Sequence, residues 1–573
     1  VPTEGCGSLG AAPDGRGGLV LRAAENGADE AGQLLAWGSF VDSLNDVGWS
    51  SLSMHTSEAT GASDRLKMYA AGVVEGFLTA RRVLEFFHNS RALADLNPDN
   101  DPRLPHLQEA MRHAVANLAS SGEAADLDPF TSQTVLAFLQ TWGVRDGYAL
   151  AAGHTTSIAD APSLSMVDMF ILNSDGVIDE YFTKYGGDPG RGAEALLQRG
   201  ELHERLRGAV RRGRRRPLAG HCTGLARLTE DKSELYFGHT TWEAFSEMTR
   251  IWKVYDFPLK GVSARRISFS SYPGCVSSTD DYYLMDSGLA ITETTLNIPS
   301  KQHYSTTAGV PDFLRIMASN RVAGDGEAWV SSMVDSSTGT YSSQWMVLDY
   351  KKFAPGSDLP PGTFYVLEQA PGVSHYEDMS AHLQREGYWA SFDRAFFDEV
   401  RESTGDSATE ARLRAAGSPE AALYSKSDTP RAQIARHTVR DVTSLAAMRD
   451  EMTRNIGSDE QVEQPTLRVP RYAISARNDL RGRGLRDEEG SPDGGVDAKV
   501  TSACLFRALT AEAVSSPSHA RMPPFRWEGP DGQELWPGYP HEGLPNTANF
   551  GWVRIDPRSP DLKPLDDSSA QCP

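Results

Sequence analysis

Apolar residues recur at three- and four-residue spacing through residues 65–89, RLKMYAAGVVEGFLTARRVLEFFHN. That period predicts a long helix with one buried face. Residues 107–118 and 131–142 carry the same period and predict two more helices. Ahead of them, residues 34–54 (LLAWGSFVDSLNDVGWSSLSM) mix tryptophans and β-branched residues with turn residues, which predicts a strand pair. Residues 1–33 are rich in Gly and Ala and read as an extended arm. After Pro217 the period shortens. Residues 222–228, 233–238, 266–271, 282–295 and 345–350 predict short strands, with helices at 241–254 and 445–456 between them. Residues 479–495, rich in Gly, Asp and Arg, predict a long surface loop. Mixed helices and strands of this kind predict a layered α+β or α/β architecture.

Composition narrows the picture. The chain has 573 residues, of which 39% are hydrophobic and 23% charged, a soluble globular balance. No apolar run approaches the roughly 18–20 residues of a membrane-spanning helix. Asp and Glu total 77 against 56 Lys and Arg, a net charge of -21 that repels nucleic acid overall. The chain begins at Val1, consistent either with a removed signal or pro-segment or simply with where the numbering starts. The five cysteines are Cys6, Cys222, Cys275, Cys504 and Cys572, so at least one is unpaired within a monomer. Neither a Cys-x-x-Cys pair nor an Asn-x-Ser/Thr acceptor occurs. No metal or cofactor is implied.

One stretch runs against the acidic background. Residues 191–216, RGAEALLQRGELHERLRGAVRRGRRR, hold nine arginines. They read as a solvated linker or as a protease-accessible processing segment. A nucleic-acid patch is the least favoured reading, because no aromatic interleaving accompanies the charge. The organisation predicted is an arm (1–33), an N-terminal fragment (34–190), a basic linker (191–221) that is cleaved or excised, and a C-terminal fragment (222–573).

Phosphate-loop, HExxH and strand–GxGxxG–helix motifs are absent. The local signal that remains is Gly220-His221-Cys222-Thr223-Gly224, a cysteine form of the G-x-S-x-G elbow. Its context is wrong for an elbow: RRRPLAGH precedes it where a strand is needed, and a strand pair follows where a helix is needed. A cysteine that opens a strand after a flexible basic segment suits a different mechanism, that of an N-terminal nucleophile. Cleavage before the residue frees an α-amino group, with a pKa of roughly 7.7–8.0, which serves as base for the thiol. The competing reading is a buried core cysteine.

A wider resemblance then enters. GHCTGLARLTEDKSELYFGHTTWEAFSEMTRIWKVYDFPLK (220–260) resembles the phospholipase B-like lysosomal hydrolases. LLAWGSFVDSLNDVGW, MYAAGVVEGFLT, SFSSYPGCVSSTDDYYLMDSGLAITETT, GTYSSQWMVLDYKKF, LEQAPG, YWASFD, AISARNDL, GGVDAKVTS and PPFRW follow the same family's landmarks in order. The resemblance implies an αββα sandwich of the N-terminal-nucleophile type. It implies a precursor cut before Cys222 into two associated fragments, and a lysosome-like acidic compartment or secretion. Cys222 becomes the nucleophile, with His239, Trp242, Thr295 and Arg431 at positions of the family pocket. Asp393 stands where the family has Asn. An ionised carboxylate cannot donate to an oxyanion, so the resemblance implies activity confined to acidic pH.

The function this implies is an autoprocessed cysteine hydrolase cleaving acyl esters or amides, phospholipid deacylation foremost and N-acyl amide cleavage next. Its substrate is a lipid or an N-acyl small molecule, without nucleic acid or a transmembrane segment, and the two associated fragments of one precursor leave a homodimer or larger assembly open. The alternative from another class is a catalytically impaired scaffold that acts as a binding or structural component.

Overall fold

The computed structural model describes residues 6–14, 18–24, 33–59, 61–93, 104–121, 127–155, 158–174, 180, 222–298, 310–337, 339–455, 462–480, 490–559 and 561–565. The basic stretch 191–221 lies outside the described residues.

Four strands precede that stretch: β1 (Cys6–Pro13), β2 (Leu19–Ala23), β3 (Ala36–Val41) and β4 (Ser50–Thr56). After it come β5 (Thr223–Leu228), β6 (Leu235–Ala244), β7 (Ile251–Asp256), β8 (Arg266–Ser271), β9 (Tyr282–Met285) and β10 (Leu289–Thr295). Next are β11 (Ser343–Asp349), β12 (Phe364–Ala370), β13 (Val373–Asp378), β14 (Tyr388–Ser391), β15 (Asp493–Ser502) and β16 (Ala511–Val514). Four short strands close the chain: β17 (Phe525–Arg526), β18 (Thr547–Ala548), β19 (Val553–Ile555) and β20 (Lys563–Pro564).

Eleven strands form one sheet in the order β13-β12-β11-β10-β9-β8-β7-β4-β3-β1-β2, and seven form a second in the order β14-β5-β6-β15-β16-β19-β20. Every pairing in them is antiparallel except β4 with β7, which run parallel from Ser50↔Ile251 to His55↔Asp256. That pair joins the chain before the basic stretch to the chain after it.

The hydrophobic pattern explains the layering. Each strand turns alternate residues to opposite faces. Ala226, Leu228 and Phe237 of the smaller sheet meet Trp252, Leu284, Ala290 and Met346 of the larger in one buried cluster between them. The other face of the larger sheet buries Ile251, Phe269, Ile291 and Val347 against the helices Asp64–Leu78, Pro129–Ala152 and Asp312–Val322. The other face of the smaller sheet buries Leu225, Tyr236 and Val500 against the helix Leu445–Met452. The chain is thus mixed α+β, with two large sheets and helices on their outer sides.

Glycine sets one close approach. The Asp64–Leu78 and Pro129–Ala152 helices cross where Gly72 and Gly76 face Gly143 and Gly147; a Cβ on Gly72 would lie 2.0 Å from the Gln140 carbonyl oxygen. Only hydrogen side chains let these backbones touch. Glu75, on the same helix, is fully buried and pins it to β7: Lys253 Nζ lies 2.8 Å from Glu75 Oε1, and the Tyr255 hydroxyl donates to Glu75 Oε2 at 2.8 Å.

Several expectations need correction. Residues 65–89 form two helices, Asp64–Leu78 and Ala80–Leu93. The break falls at Thr79, whose hydroxyl caps the first by donating to the Glu75 carbonyl. Residues 241–254 are not helical: β6 runs to Ala244, a single 3-10 turn spans Phe245–Glu247, and β7 begins at Ile251. The turn resets the strand phase, so that Trp242, Phe245, Met248 and Trp252 imitate helical spacing. β-Branched and aromatic residues such as Thr240, Thr241, Val254 and Tyr255 favour the strand. The arm of residues 1–33 contributes β1 and β2 to the edge of the larger sheet, where tertiary pairing overrides the low strand propensity of Gly and Ala. The predicted loop at 479–495 ends early, because β15 starts at Asp493.

Candidate active site

Cys222 sits immediately before β5, between β14 and β6. Its thiol is free, and the residue is 3% exposed. Cys275 is also a buried thiol, whereas Cys504 is disulfide-bonded. Burial pushes the Cys222 thiol well above its usual range. Glu293 is the charged group that adds most to that rise, Asp393 adds to it, and the Trp242 amide and Lys499 oppose it. At neutral pH the thiol is therefore protonated and a poor nucleophile until a base acts on it.

Arg431 grips the residue from the other side. The segment Thr429-Pro430-Arg431-Ala432 starts a helix: the Thr429 hydroxyl accepts from the Ala432 amide, and Pro430 supplies the first helical position. Arg431 therefore projects from the first turn. Its Nη1 donates to the Cys222 carbonyl at 2.7 Å and to Thr223 Oγ1 at 3.0 Å. Its Nη2 donates to the Phe392 carbonyl at 3.3 Å and forms an ion pair with Asp393. The guanidinium lies 4.3 Å from the centre of the Trp242 ring, a cation–π contact. The Trp242 Nε1–H donates to the Ile474 carbonyl at 2.9 Å, as does the Thr223 hydroxyl at 3.0 Å.

Two spaces meet at Trp242 and Glu243. A chamber of about 20 Å³ is lined by Cys222, Thr241, Trp242, Glu293 and Thr295 among others. A cavity of about 310 Å³ is lined by Trp242, Phe392, Asp393, Tyr424, Arg431 and Arg471 among others. Trp242 and Glu243 line both. The larger is of a size that takes a small ligand, with aromatic walls and a few charged groups.

The structure brings five of the six sequence-selected residues to these spaces: Cys222, Trp242 and Thr295 to the chamber, and Trp242, Asp393 and Arg431 to the cavity. His239 is the exception. The resemblance puts it in one pocket with Trp242. Both lie instead within β6, and a three-residue spacing on a strand sends their side chains to opposite faces. His239 pairs across the sheet with Lys499. Its Nδ1 is 3.4 Å from the Thr241 hydroxyl, and the ring also lies beside the main chain of Glu293. Burial, helped by the Lys499 charge, holds the ring well below its usual range, so it is neutral. Lys499 is fully buried between Asp280 and Asp497, at 2.7 Å from each, and Arg250 pairs with the same two carboxylates.

Asp393 also differs from expectation. Its role was framed around a neutral carboxyl that donates to an oxyanion, but its carboxylate faces the Arg431 guanidinium, which neutralises its charge. Its φ of +66° lies in the left-handed region, which Asn and Asp tolerate better than most residues. Sequence reasoning missed Glu293 altogether. The available signal was its place two residues before Thr295 on β10, hence on the same strand face.

The sequence pattern of the Phospholipase B family matches residues 36–555, and the chain belongs to that family. Phospholipase B-like protein B of Dictyostelium discoideum is 29% identical over 531 residues, covering 91% of this chain and 85% of its own. Putative phospholipase B-like 2 of Homo sapiens is 28% identical over 567 residues, covering 92% of this chain and 88% of its own. The Bos taurus protein of the same name is 28% identical and covers 91% of this chain and 85% of its own.

Proposed function

We propose that this protein is a cysteine hydrolase of the N-terminal-nucleophile class, with the αββα arrangement of that class, matured by cleavage of its own chain before Cys222. Its reaction is acyl-bond hydrolysis, with phospholipid deacylation as the first choice and N-acyl amides second. The observation that carries this reading is Cys222: a free, buried thiol heading an inner strand, its carbonyl held by Arg431, in a chamber that adjoins a ligand-sized cavity. The names of the family and its relatives, with the word phospholipase in each, support the substrate choice.

In this reading the freed α-amino group of Cys222 takes the thiol proton. The sulfur attacks the substrate carbonyl carbon, and the departing alcohol or amine takes that proton away. Water then hydrolyses the thioester, returning the thiol and releasing the acid. Arg431 fixes the nucleophile's main chain, and Asp393 neutralises Arg431. Trp242 and Thr295 form the walls, and His239 braces Thr241 from within the sheet. The cut fragments stay together because β4 pairs with β7 and Glu75 is buried against Lys253. An acidic compartment or secretion fits the same reading. Among the described residues no helix is long and apolar enough to cross a membrane.

The test combines intact mass with turnover. The mature protein is expected as two fragments, the second starting at Cys222, and Cys222→Ala as one chain. The cut protein is expected to release fatty acid from phospholipid vesicles. Release from N-acyl amides alone moves the assignment to an amidase. An uncut wild-type chain overturns the nucleophile.

A further inference from the structure

Before cleavage the nitrogen of Cys222 is part of a peptide bond and cannot accept a proton. The uncut chain therefore needs another base, and the thiol's burial makes that need acute. Most nearby groups are engaged elsewhere. Asp393 is held by Arg431, and Asp280 by Arg250 and Lys499. His239 is not among the residues lining the chamber.

Glu293 is different. It is 1% exposed and lines the chamber together with Cys222. Its Oε1 accepts from the Tyr341 hydroxyl at 3.3 Å, the Ser343 side chain stands beside the carboxylate and favours its charged form, and Oε2 makes no hydrogen bond of good geometry among the described residues. A buried carboxyl oxygen without a partner is costly, so such an atom calls for an occupant of the space it faces. The chamber, at about 20 Å³, has room for one water molecule.

We propose that Glu293 is the proton-relay group for self-cleavage, exchanging the Cys222 thiol proton through one water in the chamber the two share. The inference rests on Cys222 being the self-cleaving nucleophile. Through the water, the Glu293 carboxylate takes the thiol proton, and the sulfur bonds to the carbonyl carbon of the preceding peptide bond. The bond from that carbon to the Cys222 nitrogen breaks as the Glu293 carboxyl returns the proton to the nitrogen. A second water hydrolyses the thioester, leaving a new C-terminal carboxylate, the free thiol and the α-amino group. From then on the α-amino group serves turnover.

The charged and titratable groups facing Glu293 are Asp281 and Tyr341 beside it, Asp393, Cys222, the neutral His239 ring against its main chain, and Asp280 with Lys499 behind the chamber. Glu243 and Glu247 line the chamber from the end of β6 and the turn after it. Burial and the Asp281 charge push the Glu293 carboxyl well above its usual range, so its accepting form grows as pH rises. Self-cleavage is thus expected to speed up with pH along that limb.

The experiment follows full-length chain made by cell-free translation, with fragments quantified by intact mass over time from about pH 4 to pH 9. Wild type is cut before Cys222. Glu293→Gln is expected to be cut more slowly by on the order of 10²-fold and to lose the acid limb of the pH profile, with its melting midpoint showing that it folds. Glu293→Asp keeps a withdrawn carboxyl and is expected to retain a weakened limb. Glu293→Gln cut at the wild-type rate with the wild-type profile overturns Glu293 and leaves the Cys222 reading standing. Wild type uncut at every pH overturns both. If Glu293→Gln does not fold, Glu293→Asp decides: slower cleavage with an altered acid limb supports the relay, and an unchanged rate and profile overturn it.

Discussion

Replacing Asp393 by Asn isolates the one charge that faces Arg431. Asn occupies the left-handed region as readily as Asp, so the backbone at φ +66° is not disturbed. Ala would add strain of roughly 1–2 kcal/mol and confuse the result. The Arg431 side chain is 10% exposed and the Asp393 side chain 4%, so solvent screens the pair little. Removing one partner of a buried pair costs about 3–5 kcal/mol when it leaves the other charge uncompensated. Here Arg431 keeps three neutral acceptors, the Cys222 and Phe392 carbonyls and Thr223 Oγ1, and the Asn carbonyl replaces one more. The loss therefore falls to that of a charge-assisted hydrogen bond, about 1.5–3 kcal/mol.

A second effect follows from the same substitution. Asp393 is one of the charges holding the Cys222 thiol up, so its removal lets the thiol titrate lower and react faster. The assay is denaturant unfolding of wild type, Asp393→Asn, Arg431→Met and the double variant, together with alkylation of Cys222 followed by peptide mass. The double variant is expected to lose less stability than the two single losses combined, with a coupling of about 1–3 kcal/mol. Alkylation of Asp393→Asn is expected to be faster at each pH. If Asp393→Asn changes stability by less than about 0.5 kcal/mol, and the cycle is additive, the ion pair contributes nothing and the account of the site is wrong.

Gly143→Ala places a Cβ 2.2 Å from the Tyr69 carbonyl oxygen, so it is expected to lower stability by about 1–3 kcal/mol or more, read by the same unfolding assay. Glu75→Ala strands the fully buried Lys253 charge and is expected to cost about 3–5 kcal/mol; Glu75→Ala combined with Lys253→Met should recover part of it. Burial raises the Glu180 and Glu368 carboxyls to about 7, so the folded chain binds protons that the unfolded chain has released. Stability from these groups is fully present below the unfolded value of 4.5 and is lost as pH rises through about 7, on the order of 3 kcal/mol apiece. Melting midpoints should accordingly fall between pH 5 and pH 8, and Glu368→Gln should flatten that slope.

The strand pair ahead of the first helix, the helices around residues 107–118 and 131–142, and most strands after residue 222 were legible, because one buried face writes a period of two or of 3.6 into the sequence. The phase reset at Phe245–Glu247 was not: two strands separated by a short turn can present apolar residues at helical intervals. β1 was hidden for the opposite reason. Its Gly and Ala residues carry little strand propensity of their own, yet Leu9 and Ala11 are buried once β3 pairs with them. Within the site, Cys222 could be seen from its neighbours in sequence, but the pair Arg431–Asp393 spans a separation of 38 residues that no local pattern encodes. Glu293 was hidden among 77 acidic residues until the strand register set it beside Thr295.

The position of the basic stretch takes its meaning from the sheet. A cut between β4 and β5 would free the two halves of a protein whose halves shared no core. Here β4 is hydrogen-bonded to β7 along six residue pairs, with strands from both sides of the stretch in one continuous sheet. The helix that carries Glu75 belongs to the first half, while Lys253 and Tyr255, which bind that carboxylate, belong to the second. Arg82 of the first half likewise donates to the Gly543 carbonyl of the second at 3.0 Å. Separating the halves would expose a sheet interior and a buried charge together, each costing several kcal/mol. On the proposed reading, the chain loses the bond before Cys222, and so gains an α-amino base next to a buried thiol, without losing the fold that holds the thiol in place.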